Sequence, residues 1–390
     1  MSKHDFSPEE FRARGERVRA AMRANQLDHF LVFHPVSIHW LTGSDAKSYQ
    51  EFQCLLVSVE DSDLWILTRE GERCEFETDA WVERVVGWGG GHIEDPLPIL
   101  ERLARERRML GRRVGMEVPA YYLHPHDYLR VKALFGGASV IESNRLIHDL
   151  KLVKSPAELE YIRQASRIAD LGMETFAQSL RCGRTELEVA GEVYRRLMQE
   201  GSGIAASPMN LVSGERSCYS HGAPTLRRLR RGDFGSIEYG ATFHRYTATI
   251  GRQFCLGDPT PRMLELTSLV RRAADACIAE IRAGARAIVA HEAARKVICD
   301  AGLESGRVHT TGYGLAPGFP PTWGEPLHMI GGSDELLAAG MVLTVEPPIF
   351  LGQEQLGARI IDNVLVTDSG AELLSHFPRD LIVAEFDHGF

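Results

Sequence analysis

The sequence predicts an α+β protein with two domains, and three patterns support this fold class. Residues before about position 150 alternate between helical and strand periodicity, as in a small α/β domain. Ser155 followed by Pro156 then starts a long amphipathic helix that marks a domain boundary. Beyond it, strand patterns, including a hairpin from Glu238 to Phe254, alternate with helices that can cover a sheet. The 390 residues leave room for both domains, which we expect at 1–150 and 151–390.

Composition predicts a globular cytoplasmic protein. Hydrophobic residues make up 44% of the chain and charged residues 25%, and the net charge of -9 argues against nucleic acid as a partner. Because no run of about 18 uncharged apolar residues occurs, and the first residues are polar, we expect neither membrane insertion nor export. Seven cysteines without a Cys-x-x-Cys pair predict free thiols in a reducing compartment.

The first domain is predicted from local signals. Ser7 is an N-cap candidate, and the residues after it have apolar positions at helical spacing. The predicted elements are a helix at 8–25, a strand at 29–33, a turn at 35–43, strands at 55–59 and 64–67, a helix at 95–108, a strand at 113–117, a helix at 125–135 and a strand at 138–141.

The second domain is predicted to combine helices and strands in separate groups. The predicted elements are helices at 158–180 and 185–200, strands at 208–213, 234–240 and 245–256, helices at 262–283 and 288–301, and strands at 341–350 and 357–367. Apolar residues at positions i, i+3 and i+4 of the first two helices indicate a stripe that packs against a sheet.

The hairpin is the stretch around which the second domain is organised. We expect two strands on either side of a glycine turn, with several polar residues pointing into one cavity. Glu238 ends an otherwise weakly polar strand, and a carboxylate buried there needs a partner or a proton. Its structural partner would be Arg245 or Arg252 across the hairpin. Alternatively, Glu238 lies against a cationic substrate or attacks an electrophilic carbon.

Five blocks occur in a characteristic order: Ser220–Pro224, the hairpin, Thr311–Gly314, Val345–Pro347 and Gly357–Asp362. Together they resemble the creatinase/aminopeptidase P family of peptidase clan M24, and the resemblance spans almost the whole chain. It implies a pita-bread fold for the second domain and a creatinase-like capping domain for the first. It also implies a homodimer.

The chain departs from this family at the metal-binding positions. In the metallopeptidases the blocks supply two Asp, one His and two Glu to a pair of metal ions, and the aligned positions here are Glu238, Thr249, Leu315, Glu346 and Ile361. A dinuclear site needs several anionic oxygens, and leucine and isoleucine provide none. We therefore expect no metal and no other cofactor.

Three residues are candidates for catalysis: His221, Glu238 and Glu346. The His-x-x-Pro block of His221 is similar to the one that carries the proton-shuttling histidine of creatinase, and an imidazole can exchange a proton near neutral pH. Otherwise His221 is a loop residue bonded to backbone. Glu346 aligns with a former metal ligand that creatinase keeps as a guanidinium-binding glutamate, or it braces the sheet. His309 is expected to be structural.

Eight further residues are candidate substrate contacts: Tyr49, Phe52, His244, Tyr246, Thr249, Tyr313, Trp323 and Glu325. The first two belong to the loop that caps the partner's site in creatinase, where an aromatic face can cover a cation. The His-Arg-Tyr triplet of the hairpin and the Pro-Pro-x-Trp-Gly-Glu loop are similar to those of ectoine hydrolases. The threonine, which replaces the second Asp, can donate a hydrogen bond. For all eight, a packing or surface role is the alternative.

The resemblance and the missing ligands together predict a metal-independent hydrolase. An amidinium or guanidinium carbon already carries positive charge, so water can attack it without a Lewis acid. We expect hydrolysis of a C–N bond in a small zwitterionic amidine- or guanidino-type solute, with ectoine-type ring opening favoured over creatine-type cleavage. The alternatives are an Xaa-Pro aminopeptidase- or dipeptidase-like M24 metallopeptidase and a non-catalytic pita-bread binding protein.

Overall fold

The computed structural model describes residues 3–118, 120–137 and 140–384. Contacts divide the chain into two compact units between Lys151 and Leu152. The first two positions of the strand predicted at 138–141 lie outside the described residues. Within the described ranges, no helix is long and apolar enough to cross a membrane.

The N-terminal unit is a mixed sheet with helices. Its helices are α1 (Pro8–Ala24), α2 (Pro35–Thr42), α3 (Arg73–Asp79), α4 (Pro96–Glu106), α5 (Pro125–Leu134) and α6 (Arg145–Leu152). Its strands are β1 (His29–Val32), β2 (Cys54–Ser58), β3 (Trp65–Arg69), β4 (Arg84–Trp88), β5 (Val114–Met116) and β6 (Val140–Glu142). In the described part of the unit the strand order is β4-β3-β2-β1-β5-β6, with β1 antiparallel to β2 and parallel to β5.

Local capping explains where the first helices begin and end. Ser7 caps α1 by accepting a hydrogen bond from the backbone N–H of Glu10, as predicted. The segment at 35–43 is a helix, so the turn predicted there is wrong. Pro35 occupies its first turn, and Gly43 ends it in the left-handed conformation with φ of 77°.

The C-terminal unit is built around a larger sheet. Its helices are α7 (Pro156–Ser179), α8 (Glu186–Gln199), α9 (Pro261–Glu280) and α10 (Ala287–Asp300). Its strands are β7 (Asn210–Ser213), β8 (Phe234–Phe243), β9 (Tyr246–Leu256), β10 (Gly312–Phe319), β11 (Thr322–Met329), β12 (Val342–Val345), β13 (Ile349–Leu351), β14 (Leu356–Ala358), β15 (Asp362–Val366), β16 (Ala371–Leu373) and β17 (Ile382–Ala384). Among the described residues, the main path of the sheet is β16-β15-β12-β10-β9-β8-β7, while β11 pairs with β10 and β17 with β9.

The predicted hairpin is confirmed, but its turn contains no glycine. Strands β8 and β9 pair antiparallel from Phe234 and Cys255 to Phe243 and Tyr246. The two turn residues between the strands, His244 and Arg245, have φ of 49° and 66°. Two left-handed residues in a two-residue turn match the twist of the strands they join. The turn joins the ends of the two long strands β8 and β9.

Helix α7 covers this hairpin and is joined to its tip. Ser155 and Glu158 form a capping box at the start of α7, in which each side chain accepts the other's backbone N–H. The second carboxylate oxygen of Glu158 accepts a hydrogen bond from Tyr246 Oη at 2.8 Å. Further along, the buried face of α7, including Phe176, packs in one apolar cluster with Phe254. Helix α7 thus packs as a layer against the hairpin.

Candidate active site

A cavity with an empty volume of about 220 Å³ opens in the C-terminal unit. Its polar lining consists of Ser220, Glu238, His309, Glu346 and Arg359. Its apolar lining consists of Pro348, Phe350 and Ile361. The structure therefore brings Glu238 and Glu346, two of the three predicted catalytic residues, to the same cavity.

Glu238 is held by an arginine that the sequence patterns did not single out. Arg359 donates from Nη1 to the Glu238 carboxylate and from Nη2 to the carbonyl of Ser220. Asn210 Nδ2 donates to the same Glu238 oxygen at 3.1 Å. Both members of the ion pair are buried, so the pair is shielded from water and fixed in orientation.

The prediction that Glu238 pairs with Arg245 or Arg252 is wrong. Arg252 pairs with Asp362 at 2.8 Å, and Arg245 lies over the ring of Phe319 at 4.4 Å. The register places Glu238 opposite Gly251.

Glu346 directly follows strand β12 and points a buried carboxyl at the cavity. Burial raises its pKa well above the usual range, the nearby Glu238 charge raises it further, and Arg359 opposes both effects. Within the described residues its Oε1 has no hydrogen-bond partner. The raised pKa favours the protonated form of Glu346, and its Oε1 is available to a ligand.

Two histidines lie next to these carboxyls. His309, expected to be structural, lines the cavity, with Nδ1 3.1 Å from the carbonyl of Thr310 and 3.7 Å from Glu346 Oε1. A carbonyl only accepts, so Nδ1 carries the proton and Nε2 is the acceptor. Burial lowers the pKa of His309 and favours the neutral ring. His221 is exposed, and its ring lies 5.5 Å from that of His309.

Tyr313 and Trp323 pack beside the cavity without lining it. Trp323 Nε1 donates to Tyr313 Oη at 3.0 Å. Burial raises the pKa of Tyr313 well above its usual range, and the charges of Glu346 and Glu238 raise it further. Because both charges act on it, the Tyr313 hydroxyl lies near both carboxyls.

Thr249 uses its hydrogen-bond donors within the fold. Its backbone N–H and its hydroxyl donate to Asn363 Oδ1 at 3.0 and 3.2 Å. It is 1% exposed and does not line the cavity. The hydrogen bond expected towards a substrate is made to Asn363 on β15.

Three other predicted contact residues lie outside the cavity lining. Glu325 forms a buried ion pair with Lys154 at 2.6 Å. Tyr246 donates to Glu158, and His244 stacks on Tyr161 with ring centroids 4.8 Å apart. The hairpin turn begins at His244, six positions beyond Glu238, which at about 3.3 Å per residue is about 20 Å along the strand.

Tyr49 and Phe52 are packed inside the N-terminal unit. The Tyr49 ring meets the edge of Tyr122 at 5.5 Å, and the Phe52 ring lies 5.9 Å from Phe33. The carbonyl of Phe52 accepts a hydrogen bond from Trp88 Nε1 at 2.9 Å. Both side chains are 6% exposed and belong to the interior of their own unit.

The donor set does not fit a pair of divalent cations. The described residues contain no group of three or more His, Cys, Asp or Glu that could hold a metal ion. Of the aligned family positions only Glu238 and Glu346 carry carboxyls; the first is bound by Arg359, and the pKa of the second is raised by burial. At a third position Ile361 fills space: a Cβ on Gly251 would approach its Cγ1 to 2.8 Å.

A buried acid, a neutral histidine and a fixed ion pair in a helix-covered sheet define a hydrolase-type site. The chain belongs to metallopeptidase family M24, whose model matches residues 160–368, and the Creatinase/Prolidase N-terminal domain matches residues 14–153. The predicted fold class, a pita-bread domain with a smaller α/β domain, is confirmed. The chain is an M24 hydrolase, a class that acts on C–N bonds.

Several known proteins are similar over nearly the full chain. A putative dipeptidase, YkvY of Bacillus subtilis, is 28% identical over 348 residues, covering 89% of this chain and 93% of the relative. The ectoine hydrolase of Halomonas elongata is 26% identical over 396 residues, covering 97% and 98%. The structure of an Xaa-Pro dipeptidase from Bacillus anthracis has a TM-score of 0.83 at 25% identity, covering 95% and 99%.

These comparisons correct the predicted function. The prediction of a hydrolase of small zwitterionic solutes is wrong, because putative and Xaa-Pro dipeptidases are among the similar sequences and structures, and these relatives give no support to metal independence. The ectoine hydrolase is a less similar relative than the putative dipeptidase. The peptidase alternative has the better support.

Proposed function

We propose that this chain hydrolyses the C–N bond of a short peptide of about dipeptide size. The observation that carries the proposal is that Glu346, whose pKa is raised by burial, and His309, whose pKa is lowered by burial, line one cavity with Nδ1 of His309 3.7 Å from Oε1 of Glu346. The similar dipeptidases support the substrate class.

The cavity lining would offer apolar contacts to a substrate side chain and a positive charge to the scissile carbonyl oxygen. Pro348, Phe350 and Ile361 would pack against an apolar side chain or a pyrrolidine ring. Arg359, held in place by Glu238, would place positive charge near the scissile carbonyl oxygen. Such a fixed charge stabilises the oxyanion that forms as water adds, and it needs no rearrangement during the reaction.

His309 and Glu346 would divide the proton transfers. His309 Nε2 accepts a proton from water as the water oxygen bonds to the carbonyl carbon. As the C–N bond breaks, the leaving nitrogen takes the proton of Glu346. Glu346 regains a proton from the imidazolium, whose Nδ1 lies 3.7 Å from its Oε1. His221 would exchange protons between His309 and solvent.

A dipeptide panel tests this proposal. Purified protein is incubated with Xaa-Pro and proline-free dipeptides, with and without added manganese, and free amino acids are measured by mass spectrometry. We expect release of amino acids, and a fall in kcat of about 10²-fold or more for His309→Gln. The matched control is His376→Gln at an exposed position. Absence of amino acid release from every dipeptide in both conditions would refute the proposal.

We further infer a homodimer in the cytoplasm. All seven cysteines are free in the described structure, as a reducing compartment favours. Light scattering after size exclusion should give twice the chain mass of 43.4 kDa. A monomer at every concentration would contradict the dimer.

A further inference from the structure

A second cavity lies in the C-terminal unit and shares Arg359 with the candidate active site. Arg252 and Arg379 also line it, together with the apolar Val270 and Ile360. Three guanidinium groups around one small cavity are expensive to bury unless their charges and donors are matched.

Two of these arginines each retain a buried donor. Arg359 uses Nη1 for Glu238 and Nη2 for Ser220, and its Nε has no hydrogen-bond partner in the described structure. Arg379 uses Nε for Asp362 and Nη1 for Asp275, while its Nη2 likewise has none within the described ranges. A buried donor without an acceptor destabilises the fold, so an acceptor at this place would be stabilising.

Arg252, in contrast, has hydrogen-bond acceptors for its donors. Its nitrogens donate to Asp362 and to four backbone carbonyls, namely those of Gly251, Ile361, Phe377 and Pro378. It therefore contributes charge to the cavity without a free donor.

The acids around the cavity differ in burial. The three cavity arginines have two fully buried carboxylate partners, Glu238 and Asp362. Arg252 also interacts electrostatically with the half-buried Asp170. The other acids are more exposed: the Asp275 side chain is 53% exposed, and Asp380, which lines the cavity, is 77% exposed and paired with Arg271.

We propose that this cavity binds a monatomic anion of chloride size between Arg359 Nε and Arg379 Nη2. The cavity has room for one water or an ion of similar size. Two donors on charged guanidinium groups bind an anion more strongly than a water. The ion would bind the same guanidinium that carries Glu238, so the two cavities would be linked through one side chain.

Bromide is the probe for the position of the ion. Crystals of the full chain soaked in sodium bromide should show an anomalous peak between Arg359 and Arg379, and crystals of Arg379→Met should not. A bromide-soaked crystal without a peak in this cavity would overturn the proposal.

Chloride-dependent stability tests the same site in solution. The melting temperature is measured as chloride replaces gluconate at constant ionic strength, because an ion that binds the folded state stabilises it. We expect chloride to raise it, and Arg379→Met to weaken apparent chloride affinity about tenfold or more through loss of a charge-assisted hydrogen bond. Arg295→Met, at a surface arginine that pairs with Glu292 away from the cavity lining, should respond like wild type.

A second variant covers the case in which Arg379→Met does not fold. Val270→Leu occupies the cavity and keeps every charge, and it should also abolish the chloride response. An equal response in wild type and in the folded cavity variant, or an equal effect of sulfate and chloride, would show general salt effects and refute the site. Because neither experiment reads turnover, failure here is distinct from failure of the peptidase proposal.

Discussion

Two glutamates of the C-terminal unit are almost equally buried and yet differ in their partners. Glu325 on β11 is 2% exposed and pairs with Lys154 at 2.6 Å. Glu346 after β12 is 3% exposed, and the charges that act on it are those of Glu238 and Arg359 rather than a buried ammonium. A carboxylate beside a buried ammonium braces the fold, whereas an acid without such a partner keeps a transferable proton. Burial alone therefore does not separate structural from catalytic acids.

The largest expected effect is on turnover, through Glu346→Gln. Glutamine preserves the shape but cannot donate a proton to the leaving nitrogen, so kcat on the best dipeptide should fall about 10²- to 10⁴-fold. Circular dichroism should show an intact fold. Retention of wild-type kcat would remove Glu346 from the mechanism and reverse its contrast with Glu325.

Glu325→Gln should act on stability instead. Without its partner the Lys154 ammonium is buried alone, which costs about 3–5 kcal/mol in the free energy of unfolding. Urea unfolding measures this loss, and kcat per folded molecule should be unchanged. The double variant Glu325→Gln/Lys154→Met should recover much of the stability, because no isolated charge remains. A fall in kcat without a loss of stability would instead assign Glu325 to substrate binding.

The smallest effect is a pH dependence of stability. The pKa of Glu346 is raised in the folded state, so above the unfolded value of about 4.3 the folded chain holds a proton that the unfolded chain has lost. Stability from this group is therefore complete below that pH and is lost as pH rises through the folded pKa. Between the unfolded and the folded pKa the loss is about 1.4 kcal/mol for each step of one in pH.

Urea unfolding at pH 5 and pH 8 tests the sign. Wild type should lose more stability over this interval than Glu346→Gln, which cannot titrate. The double variant Glu325→Gln/Lys154→Met keeps Glu346 and serves as the control. Parallel profiles for wild type and Glu346→Gln would show that Glu346 is ionised in both states.

Much of the fold could be predicted because its signals are local. The start of α7 depends on Ser155 and Glu158, which are three positions apart, and the hairpin depends on alternating strands. Strands β10 and β11 were not predicted. Three glycines and a proline in Gly312–Phe319 weaken the strand pattern, and only pairing within the sheet supports it.

The site was predicted only in part, because its decisive contacts are distant in sequence. Arg359 reaches Glu238 across 121 positions, and Lys154 reaches Glu325 across 171. No local spacing reveals such pairs, so Arg359 was overlooked and Glu325 was assigned to substrate. The block Gly357–Asp362 contained the only available signal for Arg359, a charged residue between residues of a buried segment.

The functional error had a different cause. Loss of metal-binding residues was interpreted as a change of substrate class, although similarity along the whole chain favours peptidases. The family-aligned positions show which metal ligands are missing, whereas the buried charged residues show which groups are present in the cavity.

Glu158 serves two structures with two oxygens, since it caps α7 and accepts the Tyr246 hydroxyl at the hairpin tip. If the first turn of α7 unfolds, Glu158 no longer holds the hairpin tip. If the tip opens, the start of α7 loses a contact that stabilises it. These ends, 88 positions apart, should therefore exchange amide hydrogens in a single cooperative step.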